Sequence, residues 1–214
     1  MRVHRPTPHV IRRTASAIAA TAVAFVLLGT SALAAAPVVR DHIVSTGAGA
    51  ANNVCVGTIC TATSLFATVN EPDGPNQACL DISRYEQVGP SFVQLSYETG
   101  CAPLAAASLA IDTRGLSTAS LSPTQIPVQT FTCDSTGCTP TSTRTALVSA
   151  TYTGVGSLAT FRSNSKSTFG ACGMYFVGKG SSREAAATLT IDGRSLDAPG
   201  SLLTSTQKIK VLCH

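Results

Sequence analysis

Eight cysteines set the first constraint on this chain: Cys55, Cys60, Cys79, Cys101, Cys133, Cys138, Cys172 and Cys213. An even set of this kind in an exported protein reads as a disulfide framework. Zinc is the competing reading, because Cys-x4-Cys occurs twice. Structural zinc sites usually place close cysteines about two to four residues apart and often recruit histidine. Beyond residue 34 the only histidines are His42 and His214, so disulfides are expected and no metal or other cofactor. Eight cysteines allow about 105 connectivities. Locality and the internal repeat described below single out Cys55–Cys60, Cys79–Cys101, Cys133–Cys138 and Cys172–Cys213, each stabilising by about 2–4 kcal/mol.

The N-terminus supplies the oxidising compartment that such bridges need. Arg2, Arg5, Arg12 and Arg13 precede an apolar run over residues 15–28, and Ala32-Leu33-Ala34 fits the small-residue cleavage rule. Residues 1–34 therefore read as a secretory signal cut after Ala34, exported by the general or the twin-arginine route. The apolar run falls short of the ~20 residues a stable membrane span requires, and no second one follows, so a released extracellular protein is expected.

Charge changes meaning once the signal is removed. The whole chain carries 15 bases against 11 acids, and all four excess positives lie in the signal, leaving 11 of each. Neutrality gives no support to nucleic-acid binding. Residues 35–134 hold three bases and eight acids, whereas residues 135–214 hold eight bases and three acids. Either the two halves attract each other, or the second presents a basic face to an acidic partner.

An offset of about 80 residues relates two parts of the chain. Ala107-Ser-Leu-Ala-Ile-Asp-Thr-Arg-Gly-Leu116 matches Ala187-Thr-Leu-Thr-Ile-Asp-Gly-Arg-Ser-Leu196 at six of ten positions, and Cys55–Ser64 matches Cys133–Ser142 equally well. The expected organisation is a mobile segment over 35–54, a first β unit over 55–133 and a second over 134–214, packed as one body or as two that abut. Period-two alternation recurs, as in Ala146/Val148/Ala150/Tyr152, Val93/Leu95/Tyr97 and Ala185/Ala187/Leu189/Ile191, with turns rich in Gly, Pro, Asn and Asp between. These patterns predict an all-β fold, an antiparallel sandwich or barrel built from two similar halves and stapled by disulfides. Leu104–Ala110 reads as strand by its alignment, although a helical turn also suits it.

The segment Ser149-Ala-Thr-Tyr-Thr-Gly-Val-Gly156, followed by Gly180-Ser-Ser-Arg-Glu-Ala-Ala-Ala-Thr188, resembles a group of secreted proteins of unknown function from high-GC Gram-positive bacteria. About a fifth of the chain carries the likeness. It implies an extracellular β-rich fold and brings no activity or catalytic residue with it.

Candidate chemistry is sparse. Serine or cysteine hydrolases need a base, most often histidine, and His42 and His214 sit near the termini with every cysteine expected to be paired. Glu71 with Asp73 in a Pro/Gly turn, and the scattered Asp81, Glu86 and Glu98, are the carboxylates for an unrecognised hydrolase site. Asn70–Asn76 clusters oxygen atoms without the spacing of a calcium loop, and an ordinary turn is expected there. Asp112/Arg114 and Asp192/Arg194 are expected to form surface ion pairs on one strand face. Lys179, Arg183, Arg194, Lys208 and Lys210 form a basic binding patch if their strands adjoin. The function that follows is a secreted non-enzymatic binding protein, monomeric, whose partner is an extracellular protein or an acidic polymer. The alternatives are an exported inhibitor or toxin-like effector presenting the 133–138 loop, and an extracellular hydrolase.

Overall fold

A computed structural model describes residues 39–213 apart from Asp73 and Ala171; the expected signal lies outside the described residues. Among the described residues nine strands run in chain order: β1 (Val39–Val56), β2 (Ile59–Glu71), β3 (Gln77–Val88), β4 (Ser91–Pro103), β5 (Leu109–Ile111), β6 (Thr118–Asp134), β7 (Gly137–Phe169), β8 (Cys172–Ile191) and β9 (Arg194–Cys213). All pairings are antiparallel. The sheet order is β4-β3-β2-β1-β9-β8-β7-β6-β5, and β4 also pairs with β6 over Ser96–Thr99 and Gln129–Thr132. That second pairing closes eight strands into a ring, and within the ring it removes the free edges that are otherwise sites of aggregation.

Alternation decides what faces the ring interior. Ala146, Val148, Ala150 and Tyr152 are buried while Leu147 between them is 48% exposed. Ala185, Ala187 and Leu189 are buried from β8, and Ala198 and Leu202 from β9. The core is rich in alanine between leucines, an alternation of small and large side chains that fits a closed sheet's narrow interior. Among the described residues no helix is long and apolar enough to cross a membrane.

Three sequence expectations need correction. Residues 39–54 are not a loose lead-in: they form most of β1, which pairs with β2 and β9 and buries Ala48 and Ala50. Its Gly-Ala-Asn composition hides the alternation. The Leu104–Ala110 stretch forms a 3-10 turn over Ala106–Ser108, closed by Ser108 N–H donating to the Ala105 carbonyl (2.8 Å), and only then the short β5. Val93, Leu95 and Tyr97 do not form a buried face. A bulge in the β3–β4 ladder leaves Val93 exposed, and Tyr97 stacks on Phe131 (centroids 4.3 Å) across the β4–β6 seam.

Three bridges match their predicted pairs: Cys55–Cys60, Cys79–Cys101 and Cys133–Cys138. Each joins residues directly opposite in a ladder. Cys172 likewise stands opposite Cys213 where β8 pairs with β9, but the Cys213 side chain lies outside the described residues.

Candidate binding surface

The ring does not use the whole length of its strands. β6 last meets β7 at Thr118↔Thr153, and β1 first meets β2 at Val44↔Glu71. Beyond those points residues 157–169 of β7, 172–182 of β8, 203–213 of β9 and 39–43 of β1 continue together as a single layer of four strands, here called the wing.

Register places the wing's cations in rows. Arg162 stands opposite Lys179, and Lys179 opposite Thr206. Asn164, Val177, Lys208 and His42 make the next row. Lys166, Tyr175 and Lys210 make the one after. Because the pleat repeats every two residues, Arg162, Lys166, Lys179, Lys208 and Lys210 all lie on one face, and all five are exposed. The Lys166 ammonium sits 5.2 Å from the centre of the Tyr175 ring, and Val177 beside it is 51% exposed. Glu184, the acid at the base of β8, has the opposite parity and stands across from Val155 and Ser201. Glu71 is the nearest acid on the basic face, at the ring boundary opposite Val44.

The structure thus brings together Lys179, Lys208 and Lys210 and adds Arg162 and Lys166, which the sequence reading missed. Their signal was present in Phe161-Arg-Ser-Asn-Ser-Lys-Ser-Thr-Phe169, where Arg162, Asn164 and Lys166 alternate with small or apolar residues. Arg194 does not belong: it opens β9 opposite Ile191, eight residues along the ladder from Arg183↔Leu202, or about 26 Å at a strand's rise.

Arg183 shares the face but has another job. Its Nη1 donates to the Gly115 carbonyl (3.1 Å), and its Nε is buried without a hydrogen-bond partner. It closes the junction between ring and wing against Gly154, where a Cβ would stand 2.3 Å from the Leu116 carbonyl oxygen and 3.0 Å from Arg183 Cδ. Only glycine admits that approach. Gly156, at φ +68, serves the bulge that follows in β7. The Tyr-Thr-Gly-x-Gly and Ser-Arg-Glu-Ala segments, some thirty residues apart, therefore meet as one joint, with Gly154 opposite Ala185.

The loop that receives Arg183 is organised by Asp112. Its carboxylate accepts from the N–H groups of Arg114 (3.1 Å), Gly115 (3.3 Å) and Ser117 (3.2 Å) and from the Ser117 hydroxyl (2.6 Å). These bonds, the Ser117 hydroxyl first, hold its pKa down at about 2. The loop drives Leu116 into the core at 0% exposure despite its left-handed φ of 48°. The expected Asp112/Arg114 ion pair is therefore replaced by backbone capping.

Asp192 also departs from its expected partner. Its carboxylate accepts from Leu147 N–H (2.9 Å) and pairs with Arg144 (2.6 Å) rather than Arg194. Arg144 in turn binds Glu98 (2.5 Å), so one guanidinium ties β4, β7 and the β8–β9 turn at the far end of the ring. The Leu147 N–H and then Arg144 lower the Asp192 pKa, while Glu98 foremost raises that of Arg144. Glu98, a hydrolase candidate, is engaged in this clamp, and Glu71 lies beside the wing, so the structure does not bring the two carboxylates together. In the 70–76 turn, Asn70 N–H donates to Asn76 Oδ1 (2.6 Å) and Asn70 Nδ2 to the Pro75 carbonyl (2.8 Å), bonds internal to a turn; Asp73 lies outside the described residues.

An open depression of about 560 Å³ lies on the outer face of the ring, lined by Thr151, Thr153, Thr188, Asp197 and Pro199 among others. Thr188 there donates to Asp197 (2.8 Å). It is remote from the cationic rows and holds no cluster of opposed acid and base. No protein-family model, curated protein or solved structure matches the chain.

Proposed function

We propose that this chain is a secreted, non-enzymatic binding protein, released after cleavage behind Ala34, whose binding surface is the basic face of the wing and whose partner is an acidic extracellular macromolecule. One observation carries it: five exposed cations on three adjacent strands share a face, and among the described side chains the nearest acid on that face is Glu71 at the ring boundary. Unbalanced charge on one face raises the local concentration of anions and speeds their capture. The disulfides and the closed ring fit a body that holds its shape outside the cell, and the wing projects from it as an open sheet rather than a concave pocket.

The test is retention of the exported protein on an immobilised polyanion with a salt gradient. The combined substitution Lys179→Gln/Lys208→Gln/Lys210→Gln is expected to move elution to much lower salt, while Arg194→Gln leaves it in place. Unchanged elution of the triple variant would overturn the proposal. A second reading, an exported inhibitor, rests on the 133–138 tip, where the disulfide and Asp134, accepting from the Thr136 N–H (2.7 Å) and hydroxyl (2.6 Å), fix an exposed turn.

A further inference from the structure

The spacing of the cations restricts what kind of acidic macromolecule fits, an inference that rests on the binding role proposed above. Arg162 and Lys179 are directly opposed, which sets their Cβ atoms about 5 Å apart. Lys179 and Lys208 are diagonal neighbours on β8 and β9, about 7–8 Å apart. Lys208 and Lys210 are two residues apart on β9, about 6.6 Å. Arg162, Lys179, Lys208 and Lys210 therefore make one diagonal track across three strands with no gap wider than about 8 Å. Lys166 stands to the side of that track, drawn over Tyr175.

We infer that the track takes a flexible linear polyanion bearing a fixed anion about every 5–8 Å, a phosphodiester chain, laid diagonally across the wing from Arg162 to Lys210. Two features favour this class. Three of the four track residues are lysines, compact charges on long stems that meet phosphate as point charges without demanding a fixed fork geometry. Their rows lie on an open sheet rather than in a cleft, so a flexible chain settles along them where a stiff or sparsely charged one touches only one or two. A polysaccharide with a single carboxylate per disaccharide leaves alternate cations unmatched.

The experiment measures binding of the exported protein to fluorescent oligothymidylate, to a base-free oligodeoxyribose phosphate, to polyglutamate and to hyaluronan, each from 50 to 400 mM salt. Four released counterions predict a slope of log K against log salt near −3 for the oligothymidylate, at about −0.7 per contact. Lys179→Gln, Lys208→Gln and Lys210→Gln are each expected to weaken phosphate-chain binding about three- to tenfold and to flatten the slope by about 0.7, whereas Lys166→Gln has a smaller effect. Tyr175→Leu separates the sources of the phosphate: a loss confined to oligothymidylate assigns part of its affinity to base stacking, and equal retention of both phosphate probes assigns recognition to the phosphates alone. Either result keeps the phosphodiester assignment, provided the lysine dependence holds. If polyglutamate or hyaluronan binds as tightly with the same lysine dependence, the phosphodiester assignment falls while the acidic-partner role stands. If no probe binds, both fall.

Discussion

The ring and the wing share strands, and the β8–β9 ladder keeps one register through both, yet they bury opposite faces. On β8 the ring takes Ala185, Ala187 and Leu189 inside, all of odd parity. Followed into the wing, that parity becomes Tyr175, Val177 and Lys179, each exposed. The half-buried apolar residues there are even, Met174 and Phe176, and on β9 the half-buried Ile209 and Val211 are their ladder partners. A one-residue slip would invert the pattern this way, but the β8–β9 ladder runs from Cys172↔Cys213 to Ile191↔Arg194 without a register shift. The exchange occurs instead between Gly178 and Arg183, where the Phe161 and Phe176 rings crowd against Gly180 and Gly178. Closure, not alternation, decides which face becomes a core: the ring's apolar face meets other strands, while the wing's meets only its own side chains.

The largest test of this contrast removes one apolar side chain from each region. Leu189→Ala leaves a cavity at a fully enclosed position, and a cost of about 2–5 kcal/mol is expected. Val177→Ala, at 51% exposure, is expected to stay within about 0.5 kcal/mol. Urea unfolding midpoints at constant m-value decide the matter, and comparable losses at the two sites would show that the wing has a core of its own.

The bridges give the next largest effect. Chain entropy assigns about 3 kcal/mol to a loop of the Cys79–Cys101 separation, 22 residues, and about 2 kcal/mol to that of Cys133–Cys138, 5 residues. Paired alanine substitutions should therefore rank in that order by thermal unfolding. The reverse order would mean that the tip bridge holds native geometry rather than restraining the unfolded chain. Peptide mapping without reduction is expected to join the Cys172 and Cys213 peptides as well, since the register sets them opposite each other at the wing's outer end.

Much of the ring was legible in the sequence, because its alternation coincides with burial: Ala146, Val148, Ala150 and Tyr152 read as an inward face and are one. The local bridges were legible too, since opposed cysteines across a hairpin are near in sequence. Three things were hidden. β1 was obscured by small residues whose burial depends on strands distant in sequence. The ring's closure depends on β4 meeting β6, a pairing that no local pattern announces. The matched segments Ala107–Leu116 and Ala187–Leu196 fold differently because of one position. Asp192 and Gly193 both take positive φ (50° and 79°) and make a two-residue hairpin turn. The first segment has Thr113 where the second has Gly193, and a β-branched residue resists that conformation, so the chain opens into the Asp112 loop. The basic face was half legible: the residues of β8 and β9 could be named, but sharing a face with β7 required the register, and sequence proximity wrongly enrolled Arg194.

Acid gives the smallest effect and acts where ring meets wing. Asp112 has its folded-state pKa lowered to about 2, below the ordinary aspartate value near 3.9. A group with a depressed folded pKa contributes stability that is fully present above its unfolded value and is lost as pH falls through the folded one. The Asp112 contribution is therefore complete at neutral pH and fades between about pH 4 and about pH 2. Asp134 and Asp192 are also lowered and fade in the same direction. Asp112 is solvent-facing, so a local loosening is expected rather than global unfolding. Protection of the amides over residues 113–118, taken against their intrinsic exchange rates at each pH, should fall in that window, as Leu116 and the Gly115 carbonyl that anchors Arg183 lose their restraint. The cationic track carries no carboxylate, so its affinity for phosphate chains should not fall with the loop. Asp112→Asn removes the titrating group, and its loop should exchange quickly at neutral pH with no further acid step. A retained acid transition in that variant would transfer the effect to Asp192 and the Arg144 clamp, at the opposite end of the ring.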